Sequence, residues 1–450
     1  MRKDQYIVAL EIGSSKIIGA VAKRAADNQH LSLLGIEEER ATDLVRYGCI
    51  QNIEEVYNLV VKVIRKLENR AAVSPRKIKS IFVGIGGRSM RAVQQEADIT
   101  FNEPTQITDD NIRSLKNQVR REQFQGFDVL STVPRRYVVD KTESKQPVGT
   151  IANHFSATFN LIVARQQLKS NLRRVLEEKL QMNVRSYIVT PIAIAREAMT
   201  SEERNLGCML VDFGAETTTV AIYRGNVLVY LFDMPLGSRT ITRDITTLNI
   251  LEEKAEELKK TMGNALPGAQ TGSTLSVDGI SVADASNYIV ARTGEIVENI
   301  VQQVSNAGLD LSSDLPAGIV LVGGGAKLNG LEQVLAERTK LKIRKGTASR
   351  NIDLLESREQ GLEYVSILSL LLEGANRLPA DDSCCESIQE TRTTTPEQDA
   401  EAQRKAELEE AAKREAEAAA AKKSSRGGWF KRTTEFLKAK SANIFEDDDE

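Results

Sequence analysis

Two nine-residue stretches of this sequence share one pattern: VALEIGSSK at residues 8–16 and MLVDFGAET at residues 209–217. Each begins as an apolar strand and reaches an acid, one apolar residue and a glycine before small or polar residues open a second strand. Two unrelated strand–turn–strand units could share this pattern by chance. We favour a duplicated domain with one hairpin in each half, because self-similarity along a chain indicates repeated architecture.

Both hairpins suit the phosphates of a nucleotide. The glycines let the backbone approach a ligand closely, and the small polar residues offer N–H and hydroxyl donors to phosphate oxygens. The acids Glu11 and Asp212 cannot contact phosphate, but each could hold Mg²⁺, through water because this ion gives up its hydration shell reluctantly. Either hairpin alone could be a plain β-turn. The candidate phosphate-binding residues are Gly13, Ser14, Ser15, Lys16, Gly214, Ala215, Glu216 and Thr217.

Two further motifs follow the second hairpin. One is a run of three glycines after an apolar strand: Gly323, Gly324 and Gly325. A flat ring and its ribose could lie against such a backbone, and the plain alternative is a tight strand-to-helix loop. The other motif is Glu256 with Lys259, which share one face of a predicted helix because they are three positions apart. Taken alone, it is an ordinary surface pair.

The composition excludes several classes of protein. The 450 residues carry 60 Lys and Arg against 63 Asp and Glu, a net charge of −3, so a strongly basic nucleic-acid-binding protein is excluded. Two histidines and four scattered or adjacent cysteines favour neither histidine chemistry, a disulfide framework nor a metal cluster. No apolar run approaches the ~18–20 residues that cross a bilayer. Glu11 interrupts the first apolar run, so we expect no signal peptide and a soluble, cytoplasmic protein.

Apolar segments of strand type and helix type alternate along residues 1–375, which predicts an α/β fold. The expected strands cover residues 6–10, 16–22, 78–83, 137–140, 158–163, 184–189, 209–211, 217–223, 226–232 and 318–322. The expected helices cover residues 53–70, 109–121, 167–180, 289–307, 330–339 and 363–373. Thr108 is the expected cap of the second of these helices.

The composition changes near Asn376. Residues 397–423 are almost wholly Ala, Glu, Lys, Arg and Gln, which predicts a solvated helix or a disordered linker. The last stretch places apolar residues along one face of a predicted helix with a basic flank, as in helices that lie in a membrane surface. The alternative is a helix that docks in a partner's groove or on the body. The residues expected to bind the membrane are Trp429, Phe430, Lys431, Arg432, Phe436, Leu437, Lys438, Ile444 and Phe445.

The four motifs, in this order, resemble those of the actin-like ATPase superfamily and, within it, the FtsA family of bacterial cell-division proteins. The wording LEIGSSK, with Glu11 where the superfamily usually has Asp, is typical of that family. Residues 319–325 and 361–374 are similar to its adenosine motif and its last connecting helix. The resemblance implies ATP and Mg²⁺ as ligands, with Glu256 and Lys259 at the ribose.

The resemblance also implies an architecture. It is an actin-like, ribonuclease H-like duplicated ATPase fold with an inserted subdomain, followed by a flexible linker and a C-terminal amphipathic helix. The implied parts are subdomain IA at residues 1–87 and 158–197, with residues 361–375 returning to it, the inserted subdomain IC at residues 88–157, subdomain IIA at residues 198–245 and 305–360, subdomain IIB at residues 246–304, a linker at residues 376–427, and the membrane-targeting helix with its acidic end at residues 428–450.

The function implied by the resemblance is that of a scaffold that polymerises and tethers filaments of the tubulin-like protein FtsZ to the membrane. The C-terminal peptide of FtsZ would dock on subdomain IIB, and later division proteins would bind subdomain IC. The chain would be a peripheral protein on the cytoplasmic face of the cell inner membrane at the division site. The alternatives are an actin-fold adaptor of a pilus or secretion assembly and a small-molecule kinase of the same superfamily.

Two departures from the superfamily pattern bear on catalysis. Thr190 stands where many relatives have an acid that polarises the attacking water. Glu216 stands where relatives have a glycine, and it would repel a triphosphate unless it turned outward or toward Mg²⁺. Both departures predict slow or negligible ATP hydrolysis, and they leave open whether the chain is an enzyme.

Overall fold

A computed structural model describes residues 4–387, apart from residues 25–29, 123, 271–272, 278 and 349 and the side chain of residue 358. The expected linker began at residue 376, but residues 376–387 belong to the first half, where strand Cys385–Ser387 pairs with Arg76–Ile78. The rest of the expected linker, from residue 388, and the expected membrane helix lie outside the described residues.

A six-stranded sheet forms the first half of the fold. The three strands that follow the N-terminus pair antiparallel in two successive hairpins, and the outer strands join them in parallel. Its central strands are apolar and buried along almost their whole length, because helices cover the sheet. In spatial order the strands are Asn183–Val189, Ser80–Ile85, Gln5–Ile12, Lys16–Arg24, Leu31–Arg40 and Ile352–Asp353.

A second sheet repeats the same plan in the second half of the fold. Its first two strands again form an antiparallel hairpin, and a later strand adds in parallel beside the first. The strands of this half, in spatial order, are Val227–Met234, Thr218–Arg224, Cys208–Phe213, Ile319–Val322 and Ile343–Lys345. The two acid–glycine hairpins of the sequence are therefore the leading hairpins of two equivalent sheets.

Helices cover both sheets. Helix Ile53–Glu68 illustrates how the sequence dictates them, because Val56, Val60, Val63 and Leu67 repeat at helical spacing and are all buried. The other helices of the first half are Gln166–Arg173, its continuation Arg174–Lys179 as a π-helix, Thr190–Ala198 and Val365–Arg377. Those of the second half are Ser201–Leu206, Ser238–Ile245, Glu252–Met262, Val282–Asn306 and Leu331–Thr339.

An inserted unit stands between strand Ser80–Ile85 of the first sheet and helix Gln166–Arg173. It has its own core, in which Leu115 and Val119 of its helix pack with Phe155, Phe159 and Leu161 of its sheet. The helix is Asp109–Arg120, and the strands in spatial order are Thr142–Ser144, Phe127–Val139, Ile151–Arg165 and Arg91–Gln106.

The inserted unit is attached to the second sheet by strand Val227–Met234. Phe232 pairs with Arg91 across the two strands. The Arg135 guanidinium donates to the Val229 carbonyl oxygen at 2.9 Å, and the Asn160 amide donates to that of Leu228. One strand therefore belongs both to the second half and to the edge of the inserted unit.

Short elements complete the described chain. The short strands are Val45–Arg46, Cys49–Ile50, Arg76–Ile78, Ser276–Val277, Ile280–Ser281 and Cys385–Ser387. The short helical turns are Thr246–Leu248, Leu311–Asp314, Gly324–Lys327, Ser357–Gln360 and Leu362–Tyr364. Among the residues that the structure describes, no helix is both long and apolar enough to cross a membrane.

The α/β fold expected from the sequence is confirmed, with differences in single elements. The helix expected at residues 167–180 divides into an α-helix and a π-helical turn. The strand expected at residues 137–140 is the end of a longer one, Phe127–Val139. Strands Leu31–Arg40 and Arg91–Gln106 were not expected at all. The second of these is largely exposed and rich in Gln, Glu and Asp, so it offers no apolar run to detect.

Candidate nucleotide site

The first hairpin has a tight turn and is hydrogen-bonded to a neighbouring loop. The Gly13 amide donates to the Lys16 carbonyl oxygen at 3.0 Å, which closes the turn. The Ser15 carbonyl oxygen accepts from the Ala41 amide at 3.0 Å, and Ser14 Oγ accepts from the Gly48 amide at 3.3 Å. We call residues 41–50 the bridging loop, because two further contacts, made by Tyr47 and Asp43, reach the second half.

Lys16 is already engaged by neighbours in the first half. Its Nζ lies 2.6 Å from Glu38 Oε2 and 4.5 Å from the centre of the Tyr364 ring. A carboxylate and an aromatic face both stabilise the ammonium group. Lys16 is thus at the predicted hairpin, with its charge balanced by Glu38.

The second hairpin is capped by a helix. Its turn is closed by the Gly214 amide, which donates to the Thr217 carbonyl oxygen at 2.9 Å. The carbonyl oxygens of Gly214 and Ala215 accept from the first amides of helix Ser238–Ile245, at 3.0 and 2.7 Å. These amides would otherwise lack partners at a helix start. The hairpin and this helix therefore form one rigid piece.

Glu216 turns away from the hairpin into a cationic pocket. Its side chain is wholly buried, and Oε1 lies 2.8 Å from the Arg243 guanidinium and 3.6 Å from that of Arg239. Oε2 accepts from the Tyr47 amide of the bridging loop at 2.8 Å. Arg239 also pairs with Asp43 of that loop at 2.9 Å. The carboxylate is held by arginines rather than left to repel a phosphate.

The two acids of the hairpins are close enough to influence one another. Burial raises the pKa of Glu11, while a hydrogen bond from Ser366 Oγ at 2.5 Å and the charge of Lys16 oppose that rise. Burial, and then the charge of Glu11, raises the pKa of Asp212 to about 7. Two facing acids that resist ionisation together fit a divalent cation, which would compensate both charges.

That cation would be held through water. In the described part of the chain, no three Asp, Glu, His or Cys side chains lie close enough to ligate one ion. An ion that keeps several of its waters needs only one or two carboxylates beside phosphate oxygens. The arrangement of Glu11 and Asp212 agrees with this requirement for Mg²⁺.

The glycine run packs against the second hairpin. Gly323 has a φ of +91°, and a Cβ there would lie 2.5 Å from Asp212 Oδ1 and 2.6 Å from the Phe213 carbonyl oxygen. No other residue type fits this position without displacing the acid. At Gly324 a Cβ would meet nothing closer than Glu363, at 3.8 Å. Gly323 and Gly325 therefore pack against the second hairpin, and Gly324 between them offers open backbone to a ligand.

Glu256 and Lys259 are joined to the helix that caps the second hairpin. Lys259 is buried, and its Nζ donates to Thr242 Oγ1 at 2.8 Å and to the Ser238 carbonyl oxygen at 3.0 Å. It also lies 2.7 Å from Glu256 Oε2. Burial lowers the pKa of Lys259, and Glu256 opposes the shift. The predicted pair is therefore part of the packing behind the site, with Glu256 the more exposed of the two.

Two features of the site escape a linear reading of the sequence. Asp233 lies 3% exposed at the end of strand Val227–Met234, two strands away from Asp212. The bridging loop contacts both hairpins, although it is distant from the second one in sequence. The only signal for Asp233 was an acid near the end of an apolar strand. For the loop there was none, because its contacts with the hairpins are made by backbone amides.

These two facing α/β halves, each led by an acid–glycine hairpin and joined to an inserted unit, define an actin-like ATPase fold. The PilM–PilN type IV pilus biogenesis complex shares the fold, with a TM-score of 0.58 at 17% identity over 82% of this chain and 98% of that chain. Residues 209–369 match the model of the cell division protein FtsA, and residues 87–163 match that of the SHS2 domain inserted in FtsA.

Curated relatives extend the match along most of the chain. The cell division protein FtsA of Porphyromonas gingivalis is 30% identical over 358 residues, which cover 76% of this chain and 74% of that protein. The FtsA of Streptococcus pneumoniae is 27% identical, with 78% of each chain covered. The chain belongs to the FtsA family of cell-division proteins. These matches do not favour a pilus adaptor or a small-molecule kinase, since the likeness to the pilus complex is one of fold.

Proposed function

We propose that this cell-division protein is an ATP-binding scaffold that polymerises and tethers FtsZ filaments to the cytoplasmic membrane. One observation supports nucleotide binding above the others. The two acid–glycine hairpins lead equivalent sheets, and the charge of Glu11 on one raises the pKa of Asp212 on the other. A ligand between them would meet hairpin amides from both halves and two acids for its metal.

In this proposal each group of residues has one task. Gly13, Ser14, Ser15, Lys16, Gly214, Ala215 and Thr217 contact the phosphates, while Glu216 holds the second hairpin from behind. The glycine run at residues 323–325, which is open at Gly324, receives the adenosine. Mg²⁺, when bound, would neutralise phosphate charge and the charges of Glu11 and Asp212. Glu256 and Lys259 support the ribose side from the helix behind it.

The proposed scaffold turns ATP over slowly. Thr190, at the start of helix Thr190–Ala198, offers a hydroxyl where a carboxylate would polarise water. It is buried beside Gly84, where an added Cβ would lie 2.9 Å from Thr190 Oγ1. A site that binds ATP but has no base to activate water hydrolyses it slowly. We therefore propose that the nucleotide is a structural ligand.

Subdomain IIB is the proposed docking place for the C-terminal peptide of FtsZ. A groove runs there between a loop and helix Val282–Asn306, and Leu275 and Tyr288 are exposed in the same subdomain. An open groove, with exposed apolar side chains in the same subdomain, suits an extended or helical peptide. The residues that line the groove are Pro267, Gly268, Gln270, Ala283, Ser286, Asn287, Val290 and Ala291.

The remaining partners complete the proposal. Later division proteins bind the inserted unit, and copies of the chain bind one another in filaments. Residues 428–450 attach the protein to the inner membrane from its cytoplasmic side. Each tail binds weakly, so an array of tails on a filament binds far more strongly through effective concentration.

The nucleotide part is tested by replacing Asp212. We expect Asp212→Ala to weaken ATP binding in the presence of Mg²⁺ by about 10- to 100-fold, because an orienting group of the metal's water shell is lost. Calorimetric titration with ATP, with and without Mg²⁺, measures both affinities. Asp98→Ala in the inserted unit, more than half exposed, is the control. Equal affinities of wild type and Asp212→Ala in Mg²⁺ would show that the site is elsewhere.

A further inference from the structure

Asp233 shares one face of the second sheet with Asp212. In the strand register Asp212 lies opposite Thr219, and Thr219 lies opposite Asp233. Directly opposed residues of neighbouring antiparallel strands point to the same face, so the three side chains form a row. The two outer strands of this row run in the same direction. Both aspartates therefore lie near the same edge of the sheet, the edge that carries the second hairpin.

Asp233 also reaches the first half of the fold. Burial, and then the charge of Asp212, raises the pKa of Asp233 to about 7. Hydrogen bonds from the Gly87 backbone and from the Thr219 and Thr217 hydroxyls oppose that rise. Gly87 follows strand Ser80–Ile85 of the first sheet. The carboxyl group is thus located between the two halves, where the proposed nucleotide and its metal would bind.

One oxygen of Asp233 has no partner. The residue is 3% exposed, yet Oδ1 is buried and accepts no hydrogen bond from any residue that the structure describes. A buried polar atom without a partner costs about 1–3 kcal/mol, and such atoms are rare in native proteins. An asparagine could accept the same hydrogen bonds, although more weakly than a carboxylate. Those hydrogen bonds leave Oδ1 of Asp233 without a partner.

We propose that Asp233 is a third acid of the magnesium–nucleotide site, whose Oδ1 accepts a hydrogen bond from a water of the Mg²⁺ hydration shell. The inference rests on the proposed nucleotide site. Glu11, Asp212 and Asp233 then surround the hydrated ion from three strands without ligating it directly. The shell of waters supplies the missing donor to Oδ1, and the ion offsets the charges of the row.

Asp233→Asn tests this assignment, because it keeps an acceptor for Gly87 and the threonines but removes the charge. Mg²⁺ is titrated calorimetrically into the full chain saturated with a non-hydrolysable ATP analogue. We expect the dissociation constant for Mg²⁺ to rise about tenfold or more, as for other lost outer-shell partners. Without Mg²⁺ the variant should bind the analogue at least as tightly as wild type, since one negative charge near the phosphates is gone.

Asp212→Asn and Asp98→Asn accompany it as the positive and the neutral control. If Asp212→Asn weakens Mg²⁺ binding and Asp233→Asn does not, Asp233 has only a structural role and the inference is overturned. If wild type itself binds neither the analogue nor Mg²⁺, the proposed function fails and the inference fails with it. Asp233→Ser replaces Asp233→Asn if the latter does not fold, and Mg²⁺-dependent thermal stabilisation of each variant is a second readout.

Discussion

Glu216 shows how one residue can change the role of a loop. Superfamily relatives have a glycine at this position, and a carboxylate there was expected to repel phosphate unless it turned outward or toward Mg²⁺. In the structure the side chain of Glu216 points into a pocket formed by Arg243, Arg239 and the Tyr47 amide. A residue that would repel a ligand instead connects the second hairpin to the bridging loop of the first half.

We predict that Glu216→Ala lowers the free energy of unfolding by about 3 kcal/mol, the usual cost of removing one partner from a buried charge pair. The variant leaves the Arg239 guanidinium, itself almost fully buried, with one counter-charge fewer. Urea unfolding followed by circular dichroism measures the change.

Glu257→Ala is the matched control. Glu257 pairs with Lys254 on an exposed helix face, where an ion pair contributes at most about 1 kcal/mol. Similar losses in the two variants would mean that the buried pocket contributes no more than a surface pair.

At the residue scale the sequence predicted the hairpins but not everything that surrounds them. Glu11, Asp212 and the glycines follow a pattern along the chain, so one sequence is enough to find them. The position of Asp233 beside Asp212 depends on how the strands pair, and Tyr47 contacts Glu216 through its backbone amide. Neither contact can be recognised from residue type or from spacing along the chain.

Among the elements, helix Asp109–Arg120 begins at the residue that the sequence predicted. Its cap was expected at Thr108, and the structure confirms a capping box. The Asn111 amide donates to Thr108 Oγ1 at 3.4 Å, and Asn111 Oδ1 accepts from the Thr108 amide at 2.8 Å. The box satisfies amides that would otherwise lack partners at the helix start.

We expect Thr108→Ala to destabilise the inserted unit by about 1 kcal/mol, the typical cost of losing a cap. Thr108→Ser keeps the hydroxyl and should stay close to wild type. Amide hydrogen exchange in residues 109–120 reports the local effect and urea unfolding the global one. Equal protection in the alanine and serine variants would show that the hydroxyl does not hold this helix.

The sequence predicted those elements that bury one face, because their apolar residues then recur at a regular spacing. Helix Ile53–Glu68 buries one stripe and was found almost to its ends, whereas strand Arg91–Gln106 is exposed along most of its length and was missed. Its place depends on pairing with Ile151–Arg165, more than forty residues away in the chain. Pairing of that kind is decided by the whole sheet rather than by its own sequence.

At the scale of the whole molecule, the sequence predicts that residues 428–450 bind the membrane surface. Deleting residues 428–450 should leave ATP binding unchanged and abolish sedimentation with vesicles of anionic lipid, because the apolar face and the basic flank are both removed. FtsZ added to the same vesicles should sediment with the full chain and not with the deleted one. A deleted chain that still sediments like wild type would assign the tail to a partner or to the fold.

The duplicated architecture was visible in the sequence because both halves keep the same hairpin. The position of the inserted unit relative to the second half was not, since it depends on the pairing of Phe232 with Arg91. Residues from distant parts of the chain make that junction, and none of them belongs to a motif: Phe232 with Arg91, Arg135 with Val229, and Asn160 with Leu228.

This junction has a mechanical consequence. Strand Val227–Met234 has eight residues and makes two kinds of contact. It pairs with the inserted unit along one edge, and it carries the buried Asp233 near its end. Phe232, which pairs with Arg91, and Asp233 are adjacent residues of this strand, so a displacement of the strand at one of them would also move the other. Such coupling is reciprocal by thermodynamic necessity. If a division protein binds the inserted unit, as proposed, it would change the affinity for nucleotide by a certain factor. Nucleotide would then change the affinity for that protein by the same factor.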